Sequence, residues 1–345
     1  MSSDTPSSCK VILAGTIAKS LLAEVKAGLA ALNGRQPHLL GVLANNDAAA
    51  KVYADWTQRT CEENGFKYSL AQVEKDSVEE TIIAANANAS IDGIIVYYPI
   101  HNNRQDSYLQ NVVSLSKDVE GLTHKYIFNM YQNIRFLDPT SAPPSQKSIL
   151  PCTPLAVIKT LEYLHIYNII LPYGNRLFGH TICVVNRSEV VGRPLAALLA
   201  NDGATVYSVD ISGVQKFTRG EGLRKRKHDV EEMEGWCLKD AAPLCDVVVT
   251  GVPGDKFKFD VGLLREGAVC VNFSSEKNFP PEVKQKASIY VPAIGKVTIA
   301  VLLRNLLRIT QNRLLQEGVD KSGENAGQPK TEALINGTVE KVLNP

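Results

Sequence analysis

The chain has 345 residues, 44% apolar and 21% charged, with a formal net charge of +1. That length allows two ordinary domains, and the balance is that of a globular protein. Near-neutrality argues against nucleic acid as the main partner, and no apolar run approaches the roughly 20 residues that span a bilayer, so no membrane partner is expected. The N-terminal MSSDTPSSCK has no apolar signal core and carries Asp4 but no Arg, so a cytoplasmic protein is expected. Seven cysteines (Cys9, Cys61, Cys152, Cys183, Cys237, Cys245, Cys270) are scattered without a C-x-x-C pair and read as reduced thiols, mostly core filler. The histidines show no metal-ligand spacing, and no metal site is expected.

In chain order, residues 9–14 (CKVILA) read as a short strand, followed by a helical pattern through Leu32. Residues 38–43 (HLLGVL) read as a strand and 47–64 as a helix closed by Gly65 at its C-terminal cap. Residues 91–97 (IDGIIVY) read as a buried strand, 136–150 as a proline-rich loop, and Pro151 opens a further helix. A second α/β unit runs through strands at 181–185, 204–209, 246–250, 268–272 and 288–291, with a helix at 194–201. An amphipathic helix follows over 298–315, then a polar tail with a weakly helical patch near 331–343. This rhythm predicts parallel sheets covered by helices on both faces. The basic run 219–227 (RGEGLRKRK) is followed at once by the acidic 229–234 (DVEEME) and reads as a solvated, self-compensating surface loop.

The first chemical constellation is the turn 186–194 (NRSEVVGRP), between a strand and a helix. Backbone N–H groups at such a turn can hold a pyrophosphate, although no G-x-G-x-x-G is present and an ordinary βα loop is the plain alternative. Asp210, about two dozen residues on at the end of the next strand, stands where an acid accepts from the ribose hydroxyls of NAD and repels the extra phosphate of NADP. A strand-end turn residue is its alternative.

The turn resembles the G-R-S-x-x-V-G-x-P fingerprint of the methylenetetrahydrofolate dehydrogenase/cyclohydrolase family. Other matches follow in the family's order. Tyr53 lies in the helix after residues 41–47 (GVLANND), similar to x-V-G-x-x-x-x-S-x-x-Y; residues 96–100 (VYYPI) resemble V-Q-L-P-L; residues 117–122 (KDVEGL) resemble K-D-V-D-G-L; residues 151–154 (PCTP) match outright; and 292–298 (PAIGKVT) resemble P-G-G-V-G-P-M-T with one residue missing. The resemblance implies two α/β domains with a cleft between them. Residues 1–150 would form a folate-binding catalytic domain, completed by the C-terminal helix 298–345, and 151–297 a Rossmann-like NAD-binding domain. A homodimer is implied by the family alone.

The resemblance also implies site residues. Tyr53 would stack on the aminobenzoyl ring of the folate, Glu120 would accept from the pterin nitrogens, and Tyr98, Pro292 and Ile294 would line the same substrate. Thr153, Asn186, Arg187, Ser188, Val191, Gly192, Asp210, Ile211, Gly251, Asn272 and Thr298 would line the cofactor. Arg187 matches an arginine that faces the 2′-phosphate in NADP-using relatives; here Asp210 would neutralise it, or it would turn toward the pyrophosphate, leaving NAD preferred.

Two departures bear on the reaction. Bifunctional members carry a Lys four residues after the Tyr; here Thr57 holds that place, on the face shared by i and i+4. Lys51 lies roughly 240° round the helix and cannot substitute. The glutamine that partners this lysine is replaced by Tyr97. Cyclohydrolysis adds water and breaks a C–N bond, which calls for acid–base help. Hydride transfer to the nicotinamide needs chiefly that donor and acceptor be held together, because adjacent nitrogen lone pairs stabilise the cation left behind. The expectation is NAD-dependent oxidation of 5,10-methylenetetrahydrofolate to the methenyl form without cyclohydrolase activity, with Tyr53, Thr57 and Tyr97 at the reaction centre. The alternatives are a bifunctional enzyme or a non-enzymatic folate or nucleotide sensor.

Overall fold

The computed structural model describes residues 9–45, 48–138, 145–220 and 226–324, with side chains as far as Gln316. In order the elements are β1 (Lys10–Val11), α1 (Ala14–Ala30), β2 (His38–Leu43), α2 (Ala48–Glu63), β3 (Lys67–Gln72), α3 (Val78–Ala87), β4 (Gly93–Val96), α4 (Arg104–Val112), α5 (His124–Tyr131), α6 (Cys152–Tyr163), β5 (Thr181–Val185), α7 (Gly192–Asn201), β6 (Thr205–Asp210), β7 (Gly213–Thr218), β8 (Asp229–Met233), α8 (Leu238–Ala241), β9 (Val247–Thr250), β10 (Val269–Asn272), α9 (Val283–Lys286), β11 (Ile289–Val291) and α10 (Gly295–Glu324).

Two sheets result. The smaller is parallel throughout, in the order β3-β2-β4. Its central strand β2 is buried on both faces. Leu39 and Leu43 point into a cluster with Val25 of α1, Ala54 of α2 and Leu303 and Leu306 of α10. Leu40 and Val42 point the other way, onto Val78 and Ile82 of α3 and Leu109 of α4. Successive side chains of a strand alternate between faces, so an unbroken apolar run is what a doubly covered parallel strand needs.

The larger sheet has eight strands in the order β1-β11-β10-β9-β5-β6-β7-β8. Its first six are parallel, and β7 and β8 extend it as an antiparallel ribbon. Ile182, Val184, Val247 and Val249 pack on α6 and α7, while Cys183, Val185, Val248 and Cys270 face the opposite layer. The mixed α/β class and its parallel-dominated sheets follow the sequence pattern.

Helix α10 joins the two sheets. Ala300 and Val301 lie in the core of the larger, and Leu302, Leu303 and Leu306 in that of the smaller. Helix α1 does the same, with Ile17 and Leu21 on one side and Val25 on the other. Each fully buried aliphatic side chain contributes about 1.5–3 kcal/mol, so this seam holds the two halves firmly against each other.

Several expectations change. The opening strand shrinks to Lys10–Val11, and it pairs with β11 in the larger sheet, so the first residues described do not stay with the unit they precede. Strand β3 and helices α3, α4 and α5 were not foreseen. β3 carries the mixed pattern KYSLAQ of an edge strand, which hides a two-residue period. The acidic part of the expected 219–234 loop is strand β8, whose Glu231 lies 3.7 Å from Lys216 of β7; residues 221–225 lie outside the described residues. The last helix begins at Gly295, three residues early, and the patch near 331–343 lies outside the described residues. Cys61, Cys183, Cys245 and Cys270 are buried thiols. Among the described residues no helix is long and apolar enough to cross a membrane, and no group of His, Cys, Asp or Glu is placed to hold a metal.

Candidate active site

The first half of the site lies at the carboxyl end of β4, and its anchor is the turn 117–121. Lys117 Nζ donates to the carbonyls of Ala85, Asn86 and Asn88 at 2.8, 2.8 and 2.7 Å, satisfying the exposed C-terminal carbonyls of α3. Buried Asp118 accepts from the backbone N–H groups of Glu120, Gly121 and Thr123 at 3.1, 2.8 and 2.8 Å. From this turn Glu120 reaches back to β4, its Oε2 accepting from Val96 N at 3.0 Å. Burial pushes its carboxyl up to about 8; the Val96 N–H opposes this and the neighbouring Asp118 adds to it. Asn305 of α10 ties the same region down, its Nδ2 donating to Val119 O at 2.9 Å and Leu150 O at 3.0 Å.

Facing this carboxyl is a group of hydroxyls. Tyr53 and Tyr97 meet edge to face, ring centres 6.0 Å apart. The Tyr97 and Tyr68 hydroxyls are 2.9 Å apart. Thr57 is wholly buried, and its Oγ1 donates to Tyr53 O at 2.8 Å. Burial pushes the Tyr97 phenol up to about 12 despite its hydrogen bonds to Tyr68 and Thr57, so this group is neutral at ordinary pH. The Tyr98 hydroxyl is buried with no hydrogen-bond partner. A buried polar atom without a partner is costly, which marks it as a place where another molecule can supply one. Cys152, at the start of α6, donates Sγ–H to Val119 O at 3.3 Å beside this group.

The second half lies where the strand order of the larger sheet reverses, with β6 on one side of β5 and β9 on the other. Ligands of open α/β sheets bind at such a point, beyond the carboxyl ends of the strands. Asn186 follows β5 with a left-handed φ of 110°. Its Nδ2 donates to Gly251 O at 2.5 Å and its Oδ1 accepts from Ser188 N at 2.7 Å. The turn is so tight that a Cβ on Gly192 would lie 1.8 Å from Asn186 O. A Cβ on Gly251 would lie 1.8 Å from the Phe273 ring. Val191 is the N-cap residue of α7, without a side-chain cap bond. Asp210 Oδ2 accepts from Arg187 N at 2.8 Å and Oδ1 from Ile211 N at 2.7 Å, while the Ile211 side chain is fully exposed.

Three predicted residues behave otherwise than expected. Arg187 neither ion-pairs with Asp210 nor turns toward the pyrophosphate position. Its Nη2 donates to Ser208 O at 2.6 Å and Gly213 O at 2.8 Å, its Nη1 to Ser212 Oγ at 3.2 Å and its Nε to Ser208 Oγ at 3.2 Å. These carbonyls and hydroxyls at the β6–β7 corner hold the guanidinium inward. Ile294 is core: 2% exposed, it packs among Ile17, Leu155 and Val297 because apolar area gains more there than at the cleft. Asn272 is 1% exposed, and its Nδ2 holds the loop carbonyls of Ser274, Glu276 and Pro292, so it shapes the loop from within. Thr298 is buried in the first turn of α10, and Thr153 and Pro292 are half-buried.

Sequence reasoning missed Tyr68 and Asn305. Tyr68 sits on the unforeseen edge strand, and Asn305 is a polar residue on the buried side of a largely apolar helical run. That second pattern is itself a signal, because a buried amide must find partners.

Residues 12–120 match the tetrahydrofolate dehydrogenase/cyclohydrolase catalytic domain, and residues 151–220 match the NAD(P)-binding domain of the same family. The chain is 57% identical over 308 residues to a methylenetetrahydrofolate dehydrogenase [NAD(+)] of Schizosaccharomyces pombe, covering 89% of this chain and 95% of that protein. It is 58% identical over 284 residues to the protein of that name in Saccharomyces cerevisiae, covering 81% and 88%. The solved structure of the NAD-dependent 5,10-methylenetetrahydrofolate dehydrogenase from Saccharomyces cerevisiae superposes with a TM-score of 0.84 at 53% identity, covering 90% of this chain and 99% of that one. The chain belongs to the tetrahydrofolate dehydrogenase/cyclohydrolase family.

Proposed function

We infer that the protein is an NAD-dependent methylenetetrahydrofolate dehydrogenase, oxidising 5,10-methylenetetrahydrofolate to the 5,10-methenyl form. The observation that carries this reading is a pair of oriented carboxyls, Glu120 and Asp210, each at the carboxyl end of a parallel strand system. Glu120 suits the donor nitrogens of a pterin, since an ionised carboxylate only accepts. Tyr53 offers a ring face, and the unpartnered Tyr98 hydroxyl offers a further polar contact.

Asp210 keeps acceptor capacity beyond its two backbone bonds, which fits the ribose hydroxyls of NAD. Four of the five Arg187 N–H donors are taken by Ser208, Ser212 and Gly213, which holds the guanidinium away from a 2′-phosphate. When bound, the nicotinamide supplies the hydride acceptor. The chain's own work is to orient the folate through Glu120 and Tyr53 and to keep the Tyr53 and Tyr97 phenols neutral beside the reacting carbon, with Thr57 packed behind them. No proton must move at that carbon, and orientation alone can lower such a barrier by about 7–11 kcal/mol.

Cyclohydrolase activity is proposed to be absent, because Thr57 turns its hydroxyl into its own helix and Tyr97 bonds to Tyr68. Residues 1–150, completed by the C-terminal segment from residue 298, are proposed as the folate-binding part and 151–297 as the cofactor-binding part. We also propose a homodimer, by family analogy, and a cytoplasmic place of work, which the buried reduced thiols support. The test is NADH formation by the purified protein from methylenetetrahydrofolate and NAD, alongside hydrolysis of the methenyl compound. Absent NADH formation refutes the dehydrogenase. Hydrolysis as fast as dehydrogenation refutes the monofunctional reading.

A further inference from the structure

Lys296 occupies the first turn of α10, in the loop-to-helix segment that follows Pro292, and its side chain is exposed. Its Nζ lies 4.9 Å from the centre of the Trp56 ring, over the ring of a residue on α2. Trp56 is itself 43% exposed, so its ring face is open at the surface. The Lys296 stem passes Gly15 at the start of α1, where an added Cβ would lie 3.9 Å from Lys296 Cδ. Among the described residues no carboxylate is ion-paired with Lys296. The ring holds the ammonium in place without neutralising it, because a cation over an aromatic face keeps its charge.

Trp56 follows Tyr53 by three residues on α2, and residues so spaced are neighbours on a helix surface. The groups therefore run outward from half-buried Glu120 and Tyr53 to exposed Trp56 and exposed Lys296. A tetrahydrofolate has the same order of parts, from pterin through aminobenzoyl ring to glutamate. With the pterin on Glu120 and the ring on Tyr53, the glutamate emerges beside Trp56. We propose that Lys296, steadied on Trp56, recognises the glutamate carboxylates of the substrate and sets the preference for glutamylated folates. This rests on the folate reading above. The pre-placed ammonium loses little freedom on binding, which makes the contact stronger than a loose surface pair.

The test uses the full-length protein with saturating NAD and three substrates: the methylene derivatives of tetrahydropteroate, which has no glutamate, of tetrahydrofolate and of its triglutamate. Lys296→Ala should raise KM for both glutamylated substrates by about fivefold, as expected for one well-placed ion pair. It should leave kcat, the KM for NAD and the pteroate kinetics unchanged. Lys296→Arg should restore most of the loss, and high salt should shrink the wild-type advantage of the glutamylated substrates. An equal loss on all three substrates would show that Lys296 acts by holding Trp56 and the loop, and overturns the proposal, as does no loss on any. A wild-type protein that oxidises none of the three defeats the folate reading itself, a separate outcome visible before any variant is made.

Discussion

The two halves of the site solve different problems with different materials. The proposed folate end is made of side chains from β3, α2 and the turns after β4, and burial dominates their chemistry: Glu120 is pushed up to about 8 and Tyr97 to about 12. The cofactor end is made chiefly of backbone. Asn186 sits at φ 110°, Gly192 allows no Cβ, and the Asp210 carboxylate is oriented by two backbone N–H groups. A pterin offers a few donor atoms that a buried carboxyl can read one by one. A dinucleotide needs close approach along its length, which only a tight main chain permits. Damage at the cofactor end should therefore be steric and global, and damage at the folate end electrostatic and local.

The hardest test of that contrast is Gly192→Ala. Its Cβ would meet a backbone oxygen at 1.8 Å, so the turn itself must move. Overpacking of this kind costs about 1–3 kcal/mol or more, and the loss should appear as a fall of about a hundredfold in NAD affinity by titration, together with a lower Tm. An unchanged NAD affinity would mean that the turn does not line the cofactor.

Glu120→Gln tests the other end. Losing charge-assisted hydrogen bonds costs about 1.5–3 kcal/mol, so kcat/KM for the folate should fall by roughly ten- to a hundredfold with NAD binding unchanged. In wild type that kcat/KM should climb as pH rises toward about 8, because the acceptor form of Glu120 is the ionised one. The Gln variant should lack this limb. Stability runs the opposite way. The folded carboxyl holds its proton above the ordinary value of 4.5, so wild type should lose stability as pH rises from there to about 8, and the variant should not. Denaturant titrations at several pH values decide it.

Asp210→Ser should have a smaller effect. NAD is expected to be preferred over NADP by at least about tenfold in kcat/KM, or about 1.4 kcal/mol. The variant should lose much of that through weaker NAD use. NADP should gain little, since the Arg187 guanidinium is held by Ser208, Ser212 and Gly213. A large NADP gain would show that Arg187 swings out readily. The smallest expected change is in cyclohydrolase activity on Thr57→Lys, which should remain absent: position 57 is fully buried, and Tyr97 is already bonded to Tyr68. Full hydrolysis by that single variant would show that the loss of the glutamine at position 97 does not matter and that Thr57 alone accounts for the missing activity.

What the sequence by itself determined is what a local pattern can encode. The buried strands 38–43 and 181–185 announce themselves as apolar runs, Gly65 ends α2 in the left-handed conformation at φ 83°, and the ordered motifs point to the family and to Glu120 and Asp210. Tertiary structure alone decided where the segments go and what each polar atom does there. Nothing in residues 9–14 says that β1 pairs with β11, nearly the whole chain away, because strand pairing is a non-local choice made by the sheet. The acidic 229–233 segment becomes an edge strand because β7 offers it a ladder and Lys216 a counter-charge. Ile294 went into the core and Arg187 to the β6–β7 corner because burial area and unmet carbonyls are properties of the folded chain. A motif identifies which residue stands at a position; its direction is settled by whichever neighbours best satisfy its apolar surface, charge and hydrogen bonds.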